Sequence, residues 1–339
     1  MKAVWIPKHG KADVLEVRED SDPTPGESEV RIRVRASGIN FADLMARQGL
    51  YPDAPPPPVV VGYEVSGVID AVGGSVADRH VGQRVLAMTR FGGYADTVCV
   101  DAAQTYAMPE SMTFEEGAAL PVTFLTAYHM LFNVFRMRAG DHVLIHQVAG
   151  GVGTAASQLC RAVGGVTTYG TASKGKHDYA RENGCNHPID YHSVDYAREV
   201  RRLTDGRGVD VVLDALGGSD WKKGYSLLRP GGLLVLFGWA NMAKHGKRRV
   251  THVLSQLAQS PWWTPNTLMN ENKGVAGVNM GHLWDAMELT GGAFDALLEL
   301  YAEGLIKPHV DRCFPFEQAA EAHAYIEAGQ NVGKVLLTP

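Results

Sequence analysis

The sequence predicts an α/β fold in two domains, a β-rich first domain and a doubly wound parallel sheet flanked by helices. Three observations carry this expectation. In Asp141-His-Val-Leu-Ile-His-Gln-Val-Ala-Gly-Gly-Val-Gly-Thr154 a short β-branched run breaks into clustered glycines that open a helical pattern. Downstream, short apolar strands alternate with amphipathic helices, the rhythm of a doubly wound sheet. With 339 residues the chain is also too long for one core, since domains usually hold roughly 100–200 residues.

In chain order, Val30-Arg-Ile-Arg-Val-Arg35 alternates apolar and basic residues, which predicts a strand in a sheet with one wet face. The run Pro55 to Pro58 is an extended, non-helical loop, and Val98-Cys-Val100 is a further short strand. His142 to Gln147 reads as a buried parallel strand. Gly150, Gly151 and Gly153 let backbone approach a ligand, and Val152, Ala155, Ala156, Leu159 and Val163 fall at helical spacing. More strands are expected at Val166 to Tyr169, His187 to Ile189, Val209 to Leu213 and Leu233 to Phe237, with helices around His177 to Asn183, Asp195 to Thr204 and Trp221 to Leu228. Gly217-Gly218 and Gly238 follow the last two of these strands, where the ligand loops of such sheets belong. The tail, from Leu297-Leu-Glu-Leu-Tyr301 to Gly333-Lys-Val-Leu-Leu337, reads as a helix, a Pro-bounded loop, a helix and a last strand that packs back on the first domain.

A glycine turn between strand and helix is how a dinucleotide pyrophosphate is held, because the helix start offers unpaired N–H groups and a partial positive charge. The match to GxGxxG is imperfect, with Val148 in place of the first glycine, and the same turn also exists without a ligand. NAD sites place Asp or Glu about 20 residues past this fingerprint to accept the ribose 2′-hydroxyl. Here the second strand ends Tyr169-Gly-Thr-Ala-Ser-Lys174, with no acid. Thr171, Ser173 and Lys174 can donate to a 2′-phosphate, so the residues read as an NADPH site. The bland alternative is a solvated helix start capped by Ser173.

With 45% hydrophobic and 20% charged residues, the composition is that of an ordinary globular protein and excludes disordered and fibrous classes. A formal charge of −5 gives no basic field for nucleic acid; the basic run Lys244-His-Gly-Lys-Arg-Arg249 reads as a solvated loop or a local anionic-ligand patch. Four scattered cysteines, with no leader and no apolar run of spanning length, predict a cytoplasmic protein without membrane insertion.

The segments Gly38-Ile-Asn-Phe-Ala-Asp-Leu-Met-Ala-Arg-Gln-Gly-Leu-Tyr-Pro52, Gly62-Tyr-Glu-Val-Ser-Gly67, Ala149-Gly-Gly-Val-Gly153, Gly170-Thr-Ala-Ser-Lys174, His187-Pro-Ile-Asp-Tyr191, Leu216-Gly-Gly-Ser-Asp220, Ile306-Lys-Pro-His309 and Asn331-Val-Gly-Lys-Val-Leu-Leu337 together carry a resemblance. The chain resembles the medium-chain dehydrogenase/reductases, in the zinc-free quinone oxidoreductase branch, and is most similar to the vesicle amine transport protein-like subfamily. The resemblance implies a GroES-like catalytic domain over residues 1–121 and 286–339, a Rossmann cofactor domain over 122–285, and an active cleft at the join. It also implies NADPH, reduction of quinones or α,β-unsaturated carbonyls, and a homodimer. By motif, Gly150, Gly151, Val152 and Gly153 would hold pyrophosphate and Lys174 and Tyr191 the 2′-phosphate end. Thr126 would neighbour the nicotinamide, with Leu216, Phe237, Val278, Asn279 and Met280 forming the rest of the cofactor wall.

Zinc is not expected. The zinc-dependent relatives carry Cys where this chain has Asn40, and Gly-His-Glu where it has Gly62-Tyr63-Glu64, and none of the thirteen histidines forms a cluster at ligand spacing. Without a Lewis acid, the chemistry shifts to acceptors that take hydride unaided by metal. The expected donors to the developing oxygen charge are Asn40, Tyr51 and Tyr63, oriented by Asp43. Two other functions remain in view: an enoyl-thioester reductase, with Lys244 to Arg249 supplying charge, and a nucleotide-binding regulatory protein docking a partner through Arg249 to Asn272 and its Trp262-Trp263 pair.

Overall fold

In the computed structural model, which describes residues 1–241, 255–256, 258–284 and 286–339, two units emerge from the contacts: Met1–Leu125 with Lys307–Pro339, and Thr126–Ile306. The first unit begins with an antiparallel pair, β1 (Lys2–Trp5) and β2 (Glu16–Glu19). The alternating Val-Arg run becomes β3 (Glu29–Gly38). Val30, Ile32 and Val34 face a core with Val65, Ile69, Val85 and Val98, while Arg31 and Arg33 both reach Asp70, at 2.8 and 2.6 Å. On the wet face, two of the three arginines of the run are therefore held in ion pairs, and Arg35 is exposed.

Helix α1 (Phe41–Gln48) follows β3 and stops at Gly49, whose φ of +70° suits a residue without Cβ. The chain then passes the non-helical proline run and forms β4 (Glu64–Val72), β5 (Arg84–Met88), β6 (Thr97–Asp101), β7 (Thr105–Ala107) and α2 (Phe114–Ala119). Helix α3 (Pro121–Tyr128) crosses into the second unit.

In the second unit, β8 (His142–Ile145) leads through the glycine turn into α4 (Gly151–Val163). Next come β9 (Thr167–Ala172), α5 (His177–Glu182), β10 (His187–Asp190), α6 (Tyr196–Leu203), β11 (Val209–Asp214), α7 (Ser219–Leu227) and β12 (Leu228–Leu236). Then follow α8 (Pro265–Glu271), β13 (Gly274–Gly277) and α9 (Met287–Ala302). The six strands make one sheet in the order β10-β9-β8-β11-β12-β13, every neighbouring pair parallel. In strand sequence this is 3-2-1-4-5-6, the dinucleotide-binding order, whose switch point lies between β8 and β11.

The tail supplies β14 (Val310–Pro315), α10 (Ala319–Glu327) and β15 (Lys334–Thr338). Strand β15 pairs antiparallel with the end of β3, through Leu336 opposite Gly38, so the C-terminus completes the sheet of the first unit.

The structure corrects several sequence expectations. Strand β13 was not foreseen, and β12 starts five residues before Leu233, running through Pro230-Gly231-Gly232. Strand β8 stops at Ile145, since Gln147 is left-handed at φ +53°. The second unit keeps α9, and the return to the first comes at Lys307 rather than at residue 286, because α9 packs on the helical turn His129–Val134 of the second unit. The basic run Lys244 to Arg249 lies outside the described residues, as does the beginning of the stretch Arg249 to Asn272. Within the described remainder, Trp263 packs on Tyr225 (ring centroids 5.4 Å) and Trp262 is 95% exposed. No described helix is long and apolar enough to cross a membrane.

Candidate active site

The carboxyl edge of the parallel sheet gathers the nucleotide residues named from the sequence. Register places Ile145 of β8 beside Gly170 of β9, and Ala172 of β9 beside Asp190 of β10. The glycine turn, Ser173-Lys174 and Tyr191 therefore leave three adjacent strands at the same edge. Leu216, Phe237 and Val278 leave β11, β12 and β13 at that edge too, with the Phe237 N–H on Asp214 O (3.0 Å) and the Val278 N–H on Leu236 O (2.8 Å). Asn279 is exposed and its side chain accepts from the Gly281 N–H at 3.0 Å, shaping the turn that contains Met280. Thr126 is buried in α3.

Gly150 caps α4 in extended conformation, so the N–H groups of Gly151, Val152 and Gly153 precede the first helical acceptor. A Cβ on Gly153 would lie 2.4 Å from Gln147 O and 2.6 Å from Val148 Cα. Only glycine lets the helix approach the strand this closely. Lys174 is exposed and Ser173 half-buried, and the 3₁₀ turn Lys174–Lys176 receives no side-chain cap from Ser173, so the capping alternative does not hold. Tyr191 is about half exposed, its ring 4.3 Å from that of His192.

Thr171 differs from expectation. It is buried, and its hydroxyl accepts the Gln147 N–H (3.2 Å) and meets His146 Nδ1 (3.1 Å). It fastens the glycine turn to β9 and is not a free phosphate donor. Sequence reasoning also missed Asp214, fully buried at the end of β11, whose Oδ1 accepts the N–H groups of Leu216 (2.7 Å) and Gly217 (3.0 Å). Burial raises its pKa, with His146 Nε2 3.8 Å from the other oxygen acting against the shift.

In the first unit, Asn40 precedes α1 and Asp43 lies in its first turn, while Tyr51 follows the helix end and meets Tyr63. Asp43 is fully buried and accepts from the Asn40 N–H (2.7 Å), the Gly62 N–H (3.1 Å) and the Tyr94 hydroxyl (3.0 Å). It ties the start of α1 to the residue before Tyr63. Tyr94 in turn meets His323 Nε2 at 3.3 Å, and burial, with Arg47 adding to it, pushes that imidazole down to about 3. Asn40 is held at both ends of its amide: Nδ2 donates to Glu64 Oε1 (2.8 Å), and Oδ1 accepts from the Lys334 ammonium (2.6 Å). One of its two amide N–H groups is thus already engaged. Tyr51 packs edge-on against Tyr63 (6.3 Å), which also touches Phe91 (5.2 Å). The Tyr63 hydroxyl is buried near Tyr51, and burial, with the Asp43 carboxyl adding to it, drives its pKa upward.

Glu64 and Lys334 were present in the recognised motifs but given no role. Both are buried, joined at 2.5 Å, and the second Glu64 oxygen accepts the Val122 N–H at 2.7 Å.

Burial also pushes the Asp43 carboxyl up from 3.8 to about 7, against its hydrogen bonds. A raised folded-state pKa means that the folded protein binds the proton more tightly than the unfolded chain. The resulting stabilisation is full below about pH 4 and is lost as pH rises through about 7. Asp43→Asn should flatten the dependence of Tm on pH across that window; an unchanged slope in thermal melts would remove Asp43 as its source.

Comparison with known proteins places this geometry. Residues 183–337 match the family model described as zinc-binding dehydrogenase, and 26–110 the alcohol dehydrogenase GroES-like domain. The chain is 48% identical over 330 residues to the human synaptic vesicle membrane protein VAT-1 homolog, covering 96% of this chain and 82% of that protein. It is 34% identical over 340 residues to a quinone oxidoreductase of Pseudomonas aeruginosa, covering 100% and 99%. The crystal structure of Escherichia coli quinone oxidoreductase complexed with NADPH superposes with a TM-score of 0.88 at 28% identity, covering all of both chains.

Zinc does not fit the residues present. Glu64, the carboxylate on the Asn40 side-chain amide and next to Tyr63 in the chain, already carries an ammonium and two N–H donors, and among the described residues no group of three or more His, Cys, Asp or Glu could hold a metal. Elemental analysis of the purified protein should find no stoichiometric zinc, and one tightly held equivalent per chain would overturn this. With its GroES-like unit and 3-2-1-4-5-6 sheet, the chain belongs to the medium-chain dehydrogenase/reductases, in the zinc-free quinone oxidoreductase-like branch that includes the VAT-1 homologues.

Proposed function

We propose that this protein is an NADPH-dependent oxidoreductase that delivers hydride to a quinone or an α,β-unsaturated carbonyl without zinc. The observation that carries this reading is the end of β9, where Ser173 and exposed Lys174 stand beside Tyr191 and the glycine turn, with no acid on β9 itself and the neighbouring Asp190 turned onto the His192 N–H (3.1 Å). The NADPH complex of the Escherichia coli relative supports it.

NADPH, when bound, supplies the hydride. The N–H groups opening α4 would hold its pyrophosphate, Lys174 and Ser173 its 2′-phosphate, and Leu216, Phe237 and Val278 to Met280 would wall the remainder, with Thr126 towards the nicotinamide. As hydride adds to the acceptor carbon, charge collects on its carbonyl oxygen. The second Asn40 amide N–H and the Tyr51 hydroxyl stabilise that charge, Tyr63 backs Tyr51, Asp43 holds the loops, and water returns the proton.

The protein is further proposed to be cytoplasmic and homodimeric, β13 being an edge strand of its sheet. A panel of quinones, enones, enoyl thioesters and alcohols followed by NADPH absorbance tests the activity. Turnover of quinones or enones is expected. Turnover of enoyl thioesters alone would replace this reading by thioester reduction, and none at all despite tight NADPH binding would favour a nucleotide-binding regulator.

A further inference from the structure

At the amino-terminal ends of the parallel strands, opposite to the glycine turn, a cavity of about 290 Å³ opens between Phe135, Arg136, Arg138, Arg229, Leu233 and Asn272. The nucleotide reading uses none of these residues. Asp210, buried at the start of β11, explains how the cavity is built. One of its oxygens accepts from the Nε and Nη2 atoms of Arg229, and the other from the His142 N–H (2.8 Å) and Arg207 Nη2 (3.5 Å). Arg229 is thereby fixed at the rim by a carboxylate that solvent hardly reaches.

Asp141 contributes differently. Its carboxylate accepts the backbone N–H of Arg138 at 2.8 Å, which closes the turn before β8 and leaves the guanidinium outside the bond. The guanidinium groups of Arg136 and Arg138 are exposed, with no hydrogen-bond or ion-pair partner among the described residues.

Backbone geometry marks the same place. Arg136 has φ +60°, a conformation that costs a residue with a Cβ free energy, and Asn272, at φ +52°, is the left-handed cap that ends α8. The Gly231 N–H holds the second of them through Asn272 O at 2.6 Å.

The guanidinium groups of Arg136 and Arg138 match carboxylate or phosphate oxygens through paired N–H donors; Arg229, with Nε and Nη2 on Asp210 and Nη1 on Pro230 O (3.1 Å), adds a fixed positive charge at the rim, while Phe135 and Leu233 offer an apolar wall. We propose that this cavity is a second ligand site, separate from the nucleotide edge, that binds a small organic oxyanion with a flat apolar body and a phosphate or carboxylate group. Its position at the other ends of the strands means that NADPH and this ligand do not compete.

Calorimetric titration with phenyl phosphate and, separately, with phthalate tests this, on the full chain with and without saturating NADPH. Saturable one-to-one binding of at least one probe is expected in both conditions, and the probe that binds assigns phosphate or carboxylate as the recognised group. An Arg136→Gly, Arg138→Ala double variant should weaken it by at least about tenfold, the scale of one lost hydrogen bond to a charged group. Glycine accepts the left-handed backbone at position 136, so the turn survives. NADPH affinity should not change. Absence of saturable binding up to about 10 mM, above the weakest affinities of specific sites, overturns the proposal. So does binding unaffected by the double variant, or binding abolished by Lys174→Ala, which would move the anion to the nucleotide edge.

Discussion

Replacing Lys174 by alanine should lower NADPH affinity by about 1.5–3 kcal/mol, the range for a hydrogen bond to a charged group, or roughly 10- to 150-fold in Kd. NADH affinity should stay nearly constant. The asymmetry follows from position: Lys174 is exposed just past the tip of β9, a strand that ends without an acid of its own, and the neighbouring carboxylate, Asp190 of β10, is turned onto the His192 N–H at 3.1 Å. An ammonium there gains only when the 2′-position carries phosphate. Ser173 and Tyr191 flank the same edge, so the loss should stop short of abolishing binding. Calorimetric titration of both nucleotides against wild type and variant decides the matter, and equal wild-type affinities for NADH and NADPH would sink the reading.

The sheet of the second unit was legible chiefly through Val143-Leu-Ile145, Val211-Val-Leu213 and Leu233-Leu-Val-Leu236, continuous apolar runs that mark strands buried on both faces. Its sixth strand was not. Gly274-Val-Ala-Gly277 is four residues long with glycine at both ends, so neither period nor propensity distinguishes it from a loop, and pairing with β12 alone makes it a strand. The early part of β12 was hidden by Pro230-Gly231-Gly232, a turn signal that tertiary pairing overrides.

Thr171 shows where site reading from sequence fails. Its hydroxyl type suits a phosphate, yet which way a strand residue points depends on register, and here it points inward onto Gln147 and His146. Lys174, two residues beyond the strand end, has no such constraint. The Glu64–Lys334 pair escaped notice for another reason. Its partners lie 270 positions apart in the chain, joined only because β15 returns to pair with β3. Both residues sat inside motifs that identified the family, and a buried lysine in a closing strand was the available hint.

An Asn40→Ala, Tyr51→Phe double variant should bind NADPH normally and lose roughly 10²-fold or more in kcat/KM for a small enone, the scale seen when one oxyanion donor is removed. Normal binding is expected because both residues belong to the first unit and the nucleotide loops to the second. The geometry sharpens what each change does. Asn40→Ala deletes a donor but also strips Glu64 and Lys334 of one partner each, while their mutual bond at 2.5 Å remains, so the local fold should persist. Tyr51→Phe keeps the ring that packs on Tyr63 and removes only the hydroxyl. Quinones accept hydride with little assistance, so the enone is the discriminating acceptor: its oxygen must carry charge before a proton arrives, and the two donors act at that moment. Enone turnover equal to wild type, with the double variant folded and NADPH bound, would show that Asn40 and Tyr51 serve the packing around Glu64 and Tyr63 rather than the reaction.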